Sequence, residues 1–360
     1  MARRRKETPL SQRTVPGLVR DKARPPLAVV LGSPAEVVHC LDALDGIEAT
    51  CYQMDLHQSE RLQAELAEQR TPAKVVTSAD LWDLPADFQT VLYLPARGGE
   101  RELKIDMIEQ AFHILRPHGT LLVWSPYSAD PFFPNLLKKI FGRVHAPHLE
   151  GDTVLWCQRE GDRPRRRHEV AFQARIAGGP SCRFVSRPGT FSYGRFDHGA
   201  RALVETMIVH RGDRVVDLGC GCGTNGVFAA QQTGTEGHIT FADSNVRAVA
   251  LADLNARGNG VSAYQTVASS RVEGLDEGSV DVVLANPPYY ANSAIARLFI
   301  DRSRQLLKPE GRCYLVTKQV EEIADIMMET FEHVEAVLHR GYTILSNSEA
   351  SLRFPSEPEA

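Results

Sequence analysis

The sequence predicts an α/β chain of two tandem domains, each a mostly parallel sheet with helices on both faces. Three observations carry that prediction. Short Val-, Leu- and Ile-rich runs alternate with amphipathic stretches such as 246–257 and 294–307, the pattern of strands joined through crossover helices. A glycine-rich turn, Gly219-Cys220-Gly221-Cys222-Gly223, follows one such run directly, as where a strand hands over to a helix. Residues 89–124 also recur as 281–316 without a gap: Leu92 matches Leu284, Pro95 matches Pro287, Pro117 matches Pro309 and Gly119 matches Gly311, each 192 positions on.

Taken in order, residues 1–25 open with Arg3-Arg4-Arg5-Lys6, are polar and basic, and read as a disordered, solvated tail. Residues 26–160 form the first domain. Their run Ala28-Val29-Val30-Leu31-Gly32 resembles Val215-Val216-Asp217-Leu218-Gly219 at an offset of 187, so Val30 stands against Asp217, and Leu94 stands against Asn286. Residues 161–190 read as a basic linker around Arg163, Arg165, Arg166 and Arg167, with a strand-like alternation over 170–176; such a run either tracks phosphates or is simply solvated. Residues 191–350 form the second domain, with a helix over 225–232, a strand ending in Asp243, and a final hairpin of 333–339 and 342–346 that supplies a reversed strand. Residues 351–360 are a second tail.

Composition limits the function classes. With 360 residues and 43% hydrophobic content the chain can bury one or two cores, and a net charge of −4 leaves no global basic field, so any nucleic acid must be met by local patches. The seven cysteines lack paired metal spacing and read as reduced thiols of a cytoplasmic protein, with no metal site. No apolar run of about 18 residues is present, so no membrane helix is expected.

The chemistry is concentrated at three strand ends. Two consecutive prolines in Asn286-Pro287-Pro288-Tyr289 remove two backbone donors and hold Asn286 extended, so its amide is aimed. Its oxygen and the Pro287 carbonyl can accept both hydrogens of a planar NH2 group, localising the lone pair on nitrogen, while Tyr289 or Tyr290 offers a ring to stack on a base. The spacing of Gly219, Gly221 and Gly223 departs from the dinucleotide pattern, and no phosphate-binding G-K-[ST] is present. Asp243, at the tip of the next strand, suits ribose hydroxyls.

Acidic strand, glycine turn, ribose carboxylate and Asn-Pro-Pro-Tyr together resemble the class I S-adenosylmethionine-dependent methyltransferases that act on amino groups. With a degenerate first copy lacking Asp217, the glycines and Asn286, the chain resembles the bacterial ribosomal RNA guanine-N2 methyltransferases of the RsmC and RlmG group. The resemblance implies two tandem Rossmann-like methyltransferase domains and transfer of a methyl group from S-adenosyl-L-methionine to guanine N2 of ribosomal RNA, naked or within a ribosomal subunit. It implies Asn286, Pro287 and Tyr289 as catalytic residues. Asp217, Gly219, Gly221, Gly223, Asp243 and Ser269 would contact the cofactor, Ser269 near its adenine through hydroxyl or backbone. Tyr289, Tyr290, Arg165, Arg166 and Arg167 would contact the RNA. Segment 191–201 corresponds to that group's Phe…Asp-x-Gly element, and the run 203–209 to a helix on the cofactor side. Three alternatives stay open from the residues alone: a protein-glutamine N5 methyltransferase, a DNA adenine-N6 methyltransferase, and a non-enzymatic RNA-binding or ribosome-assembly protein. The oligomeric state is open, a monomer being compatible.

Overall fold

The computed structural model describes residues 14–128, 131–147, 152–176, 178–287 and 293–347. The chain divides into two compact units, Met1–His168 and Glu169–Ala360.

Unit 1 runs α1 Val15–Lys22, β1 Leu27–Val30, α2 Pro34–Asp42, β2 Ala49–Gln53, α3 Leu56–Gln69, β3 Ala73–Thr77, β4 Phe88–Tyr93, α4 Arg101–Ile114, β5 Leu115–Ser125, α5 Phe132–Phe141 and β6 Thr153–Gln158. Its sheet order is β3-β2-β1-β4-β5-β6, all parallel but for β6, which pairs antiparallel with β5. Side chains alternate across this sheet as the pleat requires. Ala28, Val30, Val91 and Tyr93 enter one core, and Leu27, Val29, Leu92 and Leu94 enter the other.

Helix α1 corrects the expectation of a disordered tail up to residue 25. Thr14 caps it by accepting from the Gly17 amide at 3.3 Å, and Val15, Leu18 and Val19, spaced three and four apart on one face, are buried in the second core of unit 1. Lys22 lies 4.9 Å from the Trp156 ring centre.

Unit 2 begins with a hairpin, β7 Val170–Arg175 and β8 Ser181–Ser186, and continues α6 His198–Thr206, β9 Arg214–Leu218, α7 Thr224–Thr233, β10 His238–Asp243, α8 Val246–Gly258, β11 Tyr264–Ala268, β12 Val280–Ala285, α9 Ala294–Leu306, β13 Leu307–Thr317, α10 Val320–Thr330, β14 Glu335–His339 and β15 Tyr342–Ser346. The seven-stranded order is β11-β10-β9-β12-β13-β15-β14, with β15 alone reversed, antiparallel to both β13 and β14. The hairpin corrects the linker assigned to 161–190, because Ala174, Cys182 and Phe184 belong to a core of unit 2 and Phe184 packs 5.8 Å from Phe228 between ring centres. The helix expected over 203–209 starts earlier, at His198, where Asp197 caps it by accepting from the Ala200 amide at 2.8 Å.

The internal repeat is one of structure as well as sequence. β4, α4 and β5 map onto β12, α9 and β13, with β4 and β5 reaching the β12 and β13 boundaries at the 192 offset. The upstream match needs one correction. Val30 pairs with Tyr93 as Leu218 pairs with Ala285, so the register places Val29, not Val30, against Asp217. Faces agree: Val29 shares a core with Leu92, whose counterpart Leu284 lies on the Asp217 side of β12. A slip of one residue would have turned the whole strand inside out.

Candidate active site

The site of unit 2 is built on the turn between β9 and α7. Gly219, Gly221 and Gly223 take φ of 65°, 54° and 83°, a region that side-chain-bearing residues rarely adopt. They differ in what surrounds them. A Cβ on Gly219 would come within 3.1 Å of the Phe299 ring and one on Gly223 within 3.1 Å of Ala252, whereas at Gly221 nothing is closer than Phe191 Cβ at 4.0 Å. Gly221 therefore presents an open backbone face, the place where a ligand can approach. Gly226, one turn into α7, is tighter than any of them: an added Cβ would sit 2.3 Å from Phe241 Cε1 on β10.

Asp217 is 0% exposed and lies beneath the turn. Its carboxylate accepts from the Gly226 amide at 2.9 Å and from Asn225 Nδ2 at 3.5 Å. Burial pushes its pKa up to about 7, against those two hydrogen bonds and with help from the Asp243 charge. Asp217 thus fastens the first turn of α7 to the sheet and holds the glycine turn from beneath.

Asp243 sits at the tip of β10. One oxygen accepts from the Gly221 amide at 2.9 Å and the other from the Asn245 amide at 2.8 Å, so the carboxylate is fixed in orientation. At the tip of β11, Ser269 donates its amide to the Asp243 carbonyl at 3.0 Å, and its hydroxyl accepts from the Arg271 and Glu273 amides.

Asn286 follows β12 and is part-buried beside the buried Pro287. Its Nδ2 donates to Asp197 Oδ2 at 3.2 Å, the same oxygen that caps α6, which turns the amide oxygen away from that carboxylate. Pro288, Tyr289 and Tyr290 lie outside the described residues. The structure thus gathers Asp217, the three glycines, Asp243, Ser269 and Asn286 at the carboxyl ends of β9, β10, β11 and β12.

Residues that sequence reasoning passed over complete the site. Asp197 orients Asn286; its signal was the Asp-x-Gly that opens α6. Asn255, only 2% exposed, bonds the backbone of Val185 on β8 and donates to the Cys222 carbonyl at 2.8 Å, tying the hairpin to the glycine turn. Asn245 donates to the Gly189 carbonyl at 2.8 Å, and the fully buried Arg247 donates to the Pro188 carbonyl at 2.6 Å, pinning the strap that precedes Phe191.

Arg165, Arg166 and Arg167 belong to unit 1. Their stretch is held on unit 1's own surface. Arg163 donates to the Lys139 and Ile140 carbonyls at the end of α5, Arg165 lies 5.5 Å from the Trp82 ring centre, Arg167 is 4.0 Å from Asp80, and His168 pairs with Glu109 at 3.1 Å. Arg167 nevertheless keeps 59% of its side chain exposed.

Among the described residues no helix is long and apolar enough to cross a membrane. Residues 181–346 match the family model described as methyltransferase small domain. Similar curated proteins include a ribosomal RNA large subunit methyltransferase G from Streptomyces avermitilis, 34% identical over 58% of this chain and 59% of its own length. A ribosomal RNA small subunit methyltransferase C from Hahella chejuensis is 30% identical over 37% of this chain and 39% of its own length. The chain thus spans between about two fifths and three fifths of these relatives. Among solved structures, the T. thermophilus 16S rRNA N2 G1207 methyltransferase, in complex with AdoMet and guanosine, aligns with a TM-score of 0.72 over 93% of this chain and 92% of that one, at 19% identity. That likeness carries the fold, two open α/β units in tandem.

Proposed function

We propose, from the premise that residues 181–346 of this chain are a methyltransferase small domain, that the protein transfers the methyl group of S-adenosylmethionine to the exocyclic N2 of a guanine in ribosomal RNA. The observation that carries the reading is the Asn286 amide, oriented by Asp197 at the end of β12, on the strand next to the open glycine turn of β9. An oriented amide oxygen beside an exposed backbone face is the arrangement that methylation of an NH2 group requires. The relatives' names, which specify ribosomal RNA, and the guanosine in the T. thermophilus complex support the choice of substrate.

The residues fit the cofactor. The open face at Gly221 would admit its amino-acid end, the oriented carboxylate of Asp243 at the β10 tip would take the ribose hydroxyls, and Ser269, tied to Asp243, would meet the adenine edge. When bound, it supplies an electrophilic methyl group. Every remaining task belongs to this chain. Asp217 and Asn255 keep the turn closed and its backbone placed; Asn286 Oδ1 and the Pro287 carbonyl accept the two N2 hydrogens, steering the lone pair toward the incoming methyl; Tyr289 or Tyr290 stacks on the guanine. No strong base is needed, because the proton is lost after transfer from an acidified amine. Ribosomal RNA or a ribosomal subunit in the cytoplasm is the partner on this reading, with Arg165, Arg166 and Arg167 as additional phosphate contacts. The test is mass mapping of methylated guanines in ribosomal RNA from cells with and without this protein: one N2-methylguanine should disappear without it, and an unchanged map overturns the reading.

A further inference from the structure

We propose that the cavity at the carboxyl ends of β1, β2 and β4 in unit 1 captures one extrahelical nucleotide of RNA, an inference that rests on the RNA-methylation reading for the identity of the strand. The cavity encloses about 270 Å3 and is lined by Leu31, Gln53, Leu94, Glu100, Leu103 and Lys104, among others. It occupies the topological switch point of the sheet, where open α/β sheets take ligands, yet its walls have been rebuilt. The first turn of α2 is closed by its own acid: Ser33 donates from both amide and hydroxyl to the Glu36 carboxylate at 2.8 Å, filling the place an external carboxylate or phosphate would take. Gln53, 4% exposed, donates to the Gly32 carbonyl at 3.0 Å and stands at the tip of β2, as Asp243 stands at the tip of β10. What remains is an apolar slot edged by an amide, a carboxylate and an ammonium. Its volume falls just under the usual range for small-molecule pockets and suits a single heterocycle with its sugar.

The rim identifies the rest of the ligand. Arg97 lies 5.3 Å from the Tyr127 ring centre and Lys104 5.8 Å from the same ring, while Arg101 lies 5.3 Å from that of Phe132. Arg97 also donates to the Pro126 carbonyl at 2.7 Å, and the Gly98 amide donates to the Tyr127 hydroxyl at 2.7 Å, so the cluster is held together. Three cations on two rings, in a chain of net charge −4 and with Arg101 3.9 Å from Glu102, form a local patch suited to the phosphates flanking a base and to the faces of its neighbours. A free nucleotide would use one of these cations; a strand on both sides of an extruded base uses all three.

The test uses the full chain and an RNA hairpin carrying 2-aminopurine as a single-nucleotide bulge, beside the same hairpin with an abasic bulge and free 2-aminopurine riboside. Binding should change the fluorescence, and the abasic hairpin should bind about tenfold more weakly, the scale of one stacked base. Leu103→Trp, or Ala96→Leu should the first not fold, fills the slot and should erase the fluorescence change while keeping the salt dependence. Arg97→Glu with Lys104→Glu should lower affinity and reduce the salt slope by about two. S-adenosylmethionine binding should be the same in all variants. Equal affinity for the two hairpins with unchanged fluorescence, or a response that survives slot filling, overturns the proposal; free riboside binding as tightly as the hairpin reassigns the slot to a free nucleoside. Methyl transfer to ribosomal RNA from cells lacking the protein is measured in parallel. Transfer without base capture removes only the cavity, whereas base capture without transfer removes only the methylation reading.

Discussion

The two strand-to-helix turns, one in each unit, do the same structural task with different residues. After β9 the chain uses five residues, Gly219 to Gly223, before α7; after β1 it uses three, Leu31, Gly32 and Ser33, before α2. In both, the first turn residue bends into a left-handed conformation, φ 65° at Gly219 and 58° at Leu31, and donates its amide to the neighbouring strand, to Ala242 at 2.9 Å and to Tyr52 at 3.0 Å. Leucine pays about 1 kcal/mol for that conformation, and unit 1 retains it. The fold demands this bend and this hydrogen bond. The proposed chemistry demands more: the buried Asp217 where unit 1 has Val29, the two extra residues with their open glycine, Asp243 where it has Gln53, and Asn286 where it has Leu94. The difference separates what holds a sheet together from what the proposed methyl transfer would need.

The contrast breaks most sharply at Asn286. Asn286→Ala removes an acceptor that matters as the nitrogen becomes tetrahedral, so single-turnover methyl transfer should fall roughly 10²- to 10³-fold with cofactor affinity nearly unchanged. A rate like that of wild type would leave Asn286 no more catalytic than Leu94. Next comes Asp243. Its replacement by Ala should weaken S-adenosylmethionine binding by about 1.5–3 kcal/mol in calorimetry, and Gln53→Ala should leave both affinity and a stoichiometry of one per chain as they were. Gly226→Ala forces a methyl group against Phe241 and should cost about 1–3 kcal/mol in denaturant unfolding, because the α7–β10 contact has no slack.

The smallest effect belongs to Asp217. Its pKa is raised in the folded chain, so below about 7 the native state binds a proton that the unfolded state has released, and stability falls as pH rises through that value. Between pH 6 and 8 the loss should be about 1.4 kcal/mol. Asp217→Asn should flatten this segment of the Tm-versus-pH curve while still accepting from the Gly226 amide. An equally steep curve in the variant would place the titrating group elsewhere.

Sequence periodicity revealed most of the sheet strands and both crossover helices of the repeat because each is a local apolar pattern. The C-terminal hairpin was legible from Arg340-Gly341, and the glycine turn and Asp243 from spacing alone. Three features were not. Helix α1 was hidden among arginines, since only Val15, Leu18 and Val19 carry its buried face. The β7–β8 hairpin follows directly on the basic stretch, and its inward residues Ala174, Cys182 and Phe184 face a core laid down much later in the chain. The register of β1 differs by one residue from the sequence match because Val29, Leu31 and Gly32 are identical to Val216, Leu218 and Gly219 at an offset of 187, and only strand pairing decides the face. Asp197 likewise gains its meaning from a partner 89 positions away.

Every strand of the first sheet comes from residues 27–158, and every strand of the seven-stranded sheet from 214–346. Neither sheet has to wait for chain belonging to the other. On a ribosome adding about 5–20 residues per second, the first sheet can close roughly ten seconds or more before the last strands of the second are made. That order protects against a hazard created by the duplication itself. Gln89-Thr90-Val91-Leu92 and Asp281-Val282-Val283-Leu284 are similar enough to compete for the same neighbour, and a β4 already enclosed between β1 and β5 is no longer on offer when β9 emerges.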